Sequence, residues 1–137
     1  MGANSRNKGA TFERDIAREL ELELGIAFKR NLEQSREAQH ADLIADDPAF
    51  PFVIECKRYA GGGFLSAWWD QVDKAARGSG KLPCVIYKFD RKNIQVAVDW
   101  KAIAAMTGIG LNDDGLIHMN LASFCFVARE IMAGRGR

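Results

Sequence analysis

The run Phe52-Val53-Ile54-Glu55-Cys56-Lys57-Arg58 constrains the fold more than any other segment of this 137-residue chain. It is apolar except for one acid and the basic residues that close it, and Pro51 stands before it. Alternate residues of a β-strand share a face, so Glu55 and Lys57 should line up with Val53 while Phe52, Ile54 and Cys56 point the other way. A lone acid, Asp42, lies thirteen residues before Glu55. Ala41-Asp42-Leu43-Ile44-Ala45 reads as a short strand opened by that acid. The Asp and Pro cluster Asp46-Asp47-Pro48-Ala49-Phe50-Pro51 reads as the turn that follows it. The two strands make a hairpin, in which Asp42 and Glu55 could sit across from one another and share a cation that relieves their repulsion.

Carboxylate oxygens suit Mg²⁺, a hard octahedral ion that keeps waters on its substrate side. Such an ion acidifies a water and polarises a phosphoryl oxygen, and a nearby ammonium such as Lys57 can orient that water or offset charge in the transition state. This is the chemistry of metal-dependent phosphodiester hydrolysis. Taken alone, Glu-x-Lys is more often the pattern of a sheet edge with a solvated ladder of charges, and the surrounding residues decide between the two.

Upstream, Thr11 is a candidate cap for an amphipathic helix with Phe12, Ile16, Leu20 and Leu24 on one stripe. Glu13 lies just off that stripe, where a first-turn acid also suits the helix dipole. Before it, residues 1–8 are small, polar and basic, and read as a flexible arm whose Arg6 and Lys8 could fold onto DNA. Between this helix and Asp42, residues 30–40 lack periodicity and read as a mobile loop, with Arg30, Ser35, Arg36 and His40 among its polar side chains.

A helical Glu13, a strand-opening Asp42 and the sequence Glu55-Cys56-Lys57 together resemble the PD-(D/E)XK nuclease superfamily. Within it the likeness is to archaeal-type Holliday-junction resolvases and related phage endonucleases, over roughly the first ninety residues. Lys8-Gly9 with Glu13-Arg14 look like the N-terminal helix motif of that family. The resemblance implies that Asp42 and Glu55 hold Mg²⁺, for which Mn²⁺ can substitute, with the backbone carbonyl of Cys56 as a further ligand. Glu13 completes the shell through a water and Lys57 serves the attacking water. Gln71, on a helix read at Trp68–Ala76, stands where many members carry a supporting glutamine. Ser35 would match a loop serine that approaches the scissile phosphate, and Arg30, Arg36 and Arg58 would contact DNA. Two departures stand against this: no proline precedes Asp42, where His40-Ala41 stands, and Ala75 occupies a position often held by tyrosine.

The composition accommodates the reading. Net charge is +1, too little for a bulk polyanion binder. From Lys57 to Lys92, however, eight Lys or Arg (57, 58, 74, 77, 81, 88, 91, 92) stand against three acids (70, 73, 90), as a DNA-facing surface requires. The three cysteines are isolated in apolar runs, which excludes a zinc or disulfide framework and suits a reducing cytoplasm, whether bacterial, archaeal or phage-infected. Gly78-Ser79-Gly80-Lys81 lacks P-loop spacing, Asp113-Asp114-Gly115 is a turn, and no apolar stretch is long enough to span a bilayer.

The remaining signals are Gly61-Gly62-Gly63 as a flexible joint into an aromatic helix start at Trp68-Trp69, and a hairpin of Cys84–Phe89 and Ile94–Val98. Helices are expected at Lys101–Met106 and at Leu121–Met132, the latter capped by Asn120, forming a helical extension over residues 99–137. The expected whole is one nuclease domain over residues 1–137, of α/β class, with a central mixed β-sheet flanked by helices. Its expected activity is Mg²⁺-dependent cleavage of DNA four-way junctions by a homodimer, since two paired incisions match a two-fold axis. A superfamily nuclease acting on duplex, flap or end substrates, and a DNA-binding module without cleavage, are the alternatives.

Overall fold

The computed structural model describes residues 2–32, 41–107 and 115–135. Helix α1 (Gly2–Leu24) leads into β1 (Phe28–Arg30), β2 (Leu43–Ala45) and β3 (Phe52–Tyr59). Then come α2 (Ser66–Ala76), β4 (Leu82–Phe89), β5 (Gln95–Asp99), α3 (Trp100–Thr107), β6 (Leu116–Asn120) and α4 (Leu121–Arg135). The six strands form one sheet in chain order. All neighbours are antiparallel except β3 and β4, which run parallel from Phe52↔Leu82 to Tyr59↔Phe89 and are joined through α2. The expected mixed sheet flanked by helices is what the chain adopts.

The alternation in β3 divides the core. Phe52 and Ile54 join the buried Phe12, Ile16 and Leu20 of α1 and Phe124, Ala128 and Ile131 of α4 on one side of the sheet. Val53 packs on the other side with Trp68, Val72 and Ala75 of α2 and with Val85 and Tyr87 of β4. Burying each such large apolar side chain contributes about 1.5–3 kcal/mol. On α1 the buried residues recur every four positions, one stripe of a 3.6-residue repeat. The helix ends where Gly25 takes φ 68° and its N–H donates to the Glu21 carbonyl at 2.8 Å, a left-handed cap that glycine adopts without a Cβ penalty. Gly62, at φ 109°, makes a similar backbone demand in the joint before α2.

Four expectations change. Thr11 does not start the first helix: α1 already runs from Gly2, so residues 2–8 are helical rather than a flexible arm. No proline interrupts them, and Lys8 is anchored to Asp90 at 2.9 Å. Arg30 belongs to β1, paired with Leu43, rather than to a loop. The C-terminal region is not wholly helical, because β6 adds an edge strand to β5, pairing His118 with Ala97. The basic residues after Lys57 are split by the sheet. Lys57, Arg58 and Lys88 lie at the C-terminal ends of β3 and β4, whereas Arg77 and Lys81 lie toward the opposite end, before β4 begins. The Asn120 cap is as expected, its Oδ1 accepting from the Ser123 N–H at 2.8 Å. Cys84 and Cys125 are buried, Cys56 is partly buried, and all three are free thiols. No helix among the described residues is long and apolar enough to cross a membrane.

Ile16 is fully buried between α1 and the sheet, while Leu22 on the same helix is 75% exposed. Ile16→Ala should therefore lower unfolding free energy by about 2–5 kcal/mol in urea titration, and Leu22→Ala by less than about 0.5 kcal/mol.

Candidate active site

β2 and β3 are in register at Leu43↔Ile54, and one residue earlier the pairing passes from backbone to side chain. The Asp42 N–H still donates to the Ile54 carbonyl at 2.8 Å. The next bond is made by the carboxylate: the Cys56 N–H donates to Asp42 Oδ2 at 2.7 Å. Asp42 is thereby fixed beside β3, 3% exposed, on the same strand pair as Glu55, which is 2% exposed.

Glu55 and Lys57 share a face of β3, as their spacing requires. Lys57 Nζ lies 3.4 Å from Glu55 Oε1. From α2, Gln71 joins the two: its Nε2 donates to Glu55 Oε1 at 3.0 Å and its Oε1 accepts from Lys57 Nζ at 3.0 Å. Glu55 Oε2 is buried with no N–H donor upon it, and the carboxyl lies against that of Asp42. Burial, then the negative charge of Asp42, push the Glu55 carboxyl up to about 8, against a smaller opposing pull from Lys57. A cation bound here would take up that oxygen and relieve both effects.

Glu13 reaches the same cleft from α1, where Arg30 Nε donates to its Oε1 at 2.8 Å. Burial and the nearby Asp42 raise its carboxyl, with Arg30 opposing. Among the described residues no three His, Cys, Asp or Glu side chains converge into a ready-made metal cluster. The donor set that fits a hard divalent cation is thus the Asp42 and Glu55 carboxylates, supplemented by main-chain oxygen and water. Cys56 packs its side chain against the α1-side core, and burial raises its thiol well above the ordinary range. Its amide serves Asp42.

Glu13, Asp42, Glu55, Lys57 and Gln71, which the sequence scatters over fifty-nine positions (13 to 71, inclusive), line one open cleft of about 640 Å³ together with Lys8, Arg58 and Tyr59. Arg30 is engaged by Glu13 through its Nε. Lys8 and Arg58 share Asp90, whose Oδ1 lies 2.9 Å from Lys8 Nζ and 2.7 Å from Arg58 Nη2. Arg58 also donates to the Tyr59 carbonyl at 2.7 Å. Asp90 was missed in the sequence because it sits in the β4–β5 turn, far from either partner along the chain. Ser35, Arg36 and His40 lie outside the described residues, as does the side chain of Arg6.

Residues 4–113 match the model of the family described as "Phage putative PDDEXK endonuclease", and the chain belongs to that family. The match runs past the ninety or so residues in which the motifs fall. In fold the chain is similar to Hjc, a Holliday junction resolvase from the archaeal hyperthermophile Archaeoglobus fulgidus. The TM-score is 0.56 and the identity 21%, over 91% of this chain and 98% of that one. No curated protein sequence matches the chain.

The Glu55 carboxyl carries a pH signature. Its folded pKa of about 8 exceeds the ordinary carboxyl value of 4.5, so between these values the folded chain holds a proton that the unfolded chain has released. Its contribution to stability is greatest at low pH and declines as pH rises toward 8. Without divalent cation, the gap in unfolding free energy between wild type and Glu55→Gln should move in favour of the variant between pH 5 and pH 8.5, by on the order of a few kcal/mol. Parallel urea titrations at the two pH values measure it, and an unchanged gap would contradict the assigned environment.

Proposed function

We propose that this chain is a Mg²⁺-dependent, structure-selective DNA endonuclease that resolves four-way junctions by paired phosphodiester hydrolysis. The observation that carries the reading is the buried Asp42–Glu55 pair, with a carboxylate oxygen that no N–H donor reaches, in one cleft with Lys57 and Gln71 in a member of an endonuclease family. The four-way substrate is supported by the likeness in fold to Hjc, which spans nearly all of that resolvase.

Asp42 and Glu55 would hold Mg²⁺ or Mn²⁺, with the Cys56 carbonyl alongside and Glu13 acting through a water. The cation supplies positive charge to the scissile phosphate and a more acidic water. Lys57, pinned between Glu55 and Gln71, presents an ammonium that orients the attacking water and offsets charge developing on the phosphate. Gln71 holds Glu55 and Lys57 in mutual register, which keeps the lysine from turning to solvent. Arg30 keeps Glu13 directed at the cleft and limits the repulsion it exerts on Asp42. Lys8 and Arg58 would meet the DNA backbone, with Arg6, Ser35 and Arg36 as further contacts. A homodimer would place two such clefts on a branched substrate, and free thiols fit work in a cytoplasm.

Purified protein should nick labelled four-way junctions in symmetric pairs when Mg²⁺ is present and not when it is chelated. Glu55→Gln and Asp42→Asn should lower the rate by at least about 10³-fold, and Lys57→Ala by about 10²–10³-fold. Equal cutting of a matched linear duplex would replace the junction assignment with a broader nuclease. Tight binding without cutting would mark a non-catalytic module.

A further inference from the structure

We infer that Tyr59 is a stacking platform for an unpaired nucleobase of the DNA substrate, set a few nucleotides from the phosphate that is cut. The inference deepens the nuclease reading and rests on it. Tyr59 is the next residue after Glu55 and Lys57 on their face of β3, and it lines the same cleft. Two residues of strand advance about 7 Å, so Tyr59 stands about 7 Å beyond Lys57 and about 14 Å beyond Glu55. At about 3.4 Å per stacked nucleotide, that reach is about four nucleotides or fewer.

Tyr59 is 47% exposed, unusual for a ring at the end of a central strand. One face is occupied: it stacks on Trp68 with centroids 5.3 Å apart and planes 13° from parallel. Trp68 is itself only 5% exposed and is clamped by Phe64 edge-on at 5.4 Å and by Phe89 at 6.1 Å. The tyrosine is therefore held in place before any ligand arrives, so a ligand stacking on it would sacrifice little side-chain freedom. Among the described residues no other ring contacts Tyr59, and its exposed surface in the cleft is where a flat partner would stack.

The surroundings select that partner. Lys8, Lys57 and Arg58 line the cleft together with Glu13, Asp42 and Glu55; in the nuclease reading those acids would hold the cation, and basic groups and a cation that take phosphate beside an exposed π-face are the combination that a nucleotide strand fits. Bases within continuous duplex have both faces covered by their neighbours. A base freed at a branch point, nick or flap has an open face, and aromatic side chains take it up without sequence preference. Tyr59 would thus favour distorted DNA over plain duplex.

The test is 2-aminopurine placed singly at unpaired positions within four nucleotides of the cut, with Ca²⁺ replacing Mg²⁺ so that complexes can be followed before cleavage. Wild type should quench the probe at one or two of these positions. Tyr59→Leu, which keeps an apolar cover on Trp68, should abolish the quench and weaken binding about tenfold on the unpaired substrate. That loss should exceed the loss on continuous duplex by about fivefold, and Tyr59→Trp should retain both signals. Unquenched probe in complexes that wild type goes on to cut would overturn the inference while leaving the nuclease intact, and would do so even if Tyr59→Leu proved unstable in a thermal melt. Equal weakening on both substrates would likewise reduce Tyr59 to a cover for Trp68. Wild type that neither binds nor cuts DNA would overturn the nuclease reading and this inference with it.

Discussion

Two carboxylates buried side by side are the constraint on which the rest of this structure depends. Asp42 and Glu55 are each all but excluded from water, and Glu13 adds a third acid to the same cleft. Against them stand Lys57, 3.4 Å from Glu55, and Arg30, 2.8 Å from Glu13. These partners offset part of the negative charge, in a setting where burial already disfavours ionisation. The raised Glu55 carboxyl is the outcome in the absence of a cation.

The fold supplies this arrangement by a local defect in its sheet. β2 stays paired with β3 just long enough to place the Asp42 amide, and then a side-chain oxygen takes over the bond to the Cys56 amide. β3 is held on both faces: α1 packs behind it against Phe52 and Ile54, and on the site-facing side Gln71 of α2 bonds Glu55 and Lys57. The parallel β3–β4 step ends both strands at the cleft, bringing the β4–β5 turn and Asp90 to its edge. Asp90 then gathers Lys8 and Arg58 from two other elements, linking the start of α1 to the sheet beside the acids.

Much of this was legible in the sequence where local pattern and long-range structure coincide. The two-residue alternation of β3 separates Ile54 from Glu55 without knowledge of neighbours, and the turn signals before Pro51 bring Asp42 alongside. Gln71 was legible through likeness to a family. β1 was hidden because a three-residue strand takes its conformation from its partner, not from propensity. β6 was hidden for a similar reason, its half-exposed residues lacking clean alternation. The Arg30–Glu13 and Asp90 pairs span seventeen to eighty-two positions (30 − 13 and 90 − 8), separations at which periodicity carries no information. The contiguous run of basic residues misled, since a β-strand between Lys81 and Lys88 carries its two ends to opposite sides of the molecule.

The central claim is that a divalent cation takes the place of the proton held by the acidic pair. Calorimetric titration of Mn²⁺ into the protein at pH 7, in two buffers of different ionisation enthalpy, tests it most directly. Since the Glu55 carboxyl lies near 8, the account predicts saturable binding with release of close to one proton per ion, both lost in Glu55→Gln. Binding that releases no proton, or that survives Glu55→Gln unchanged, would contradict it.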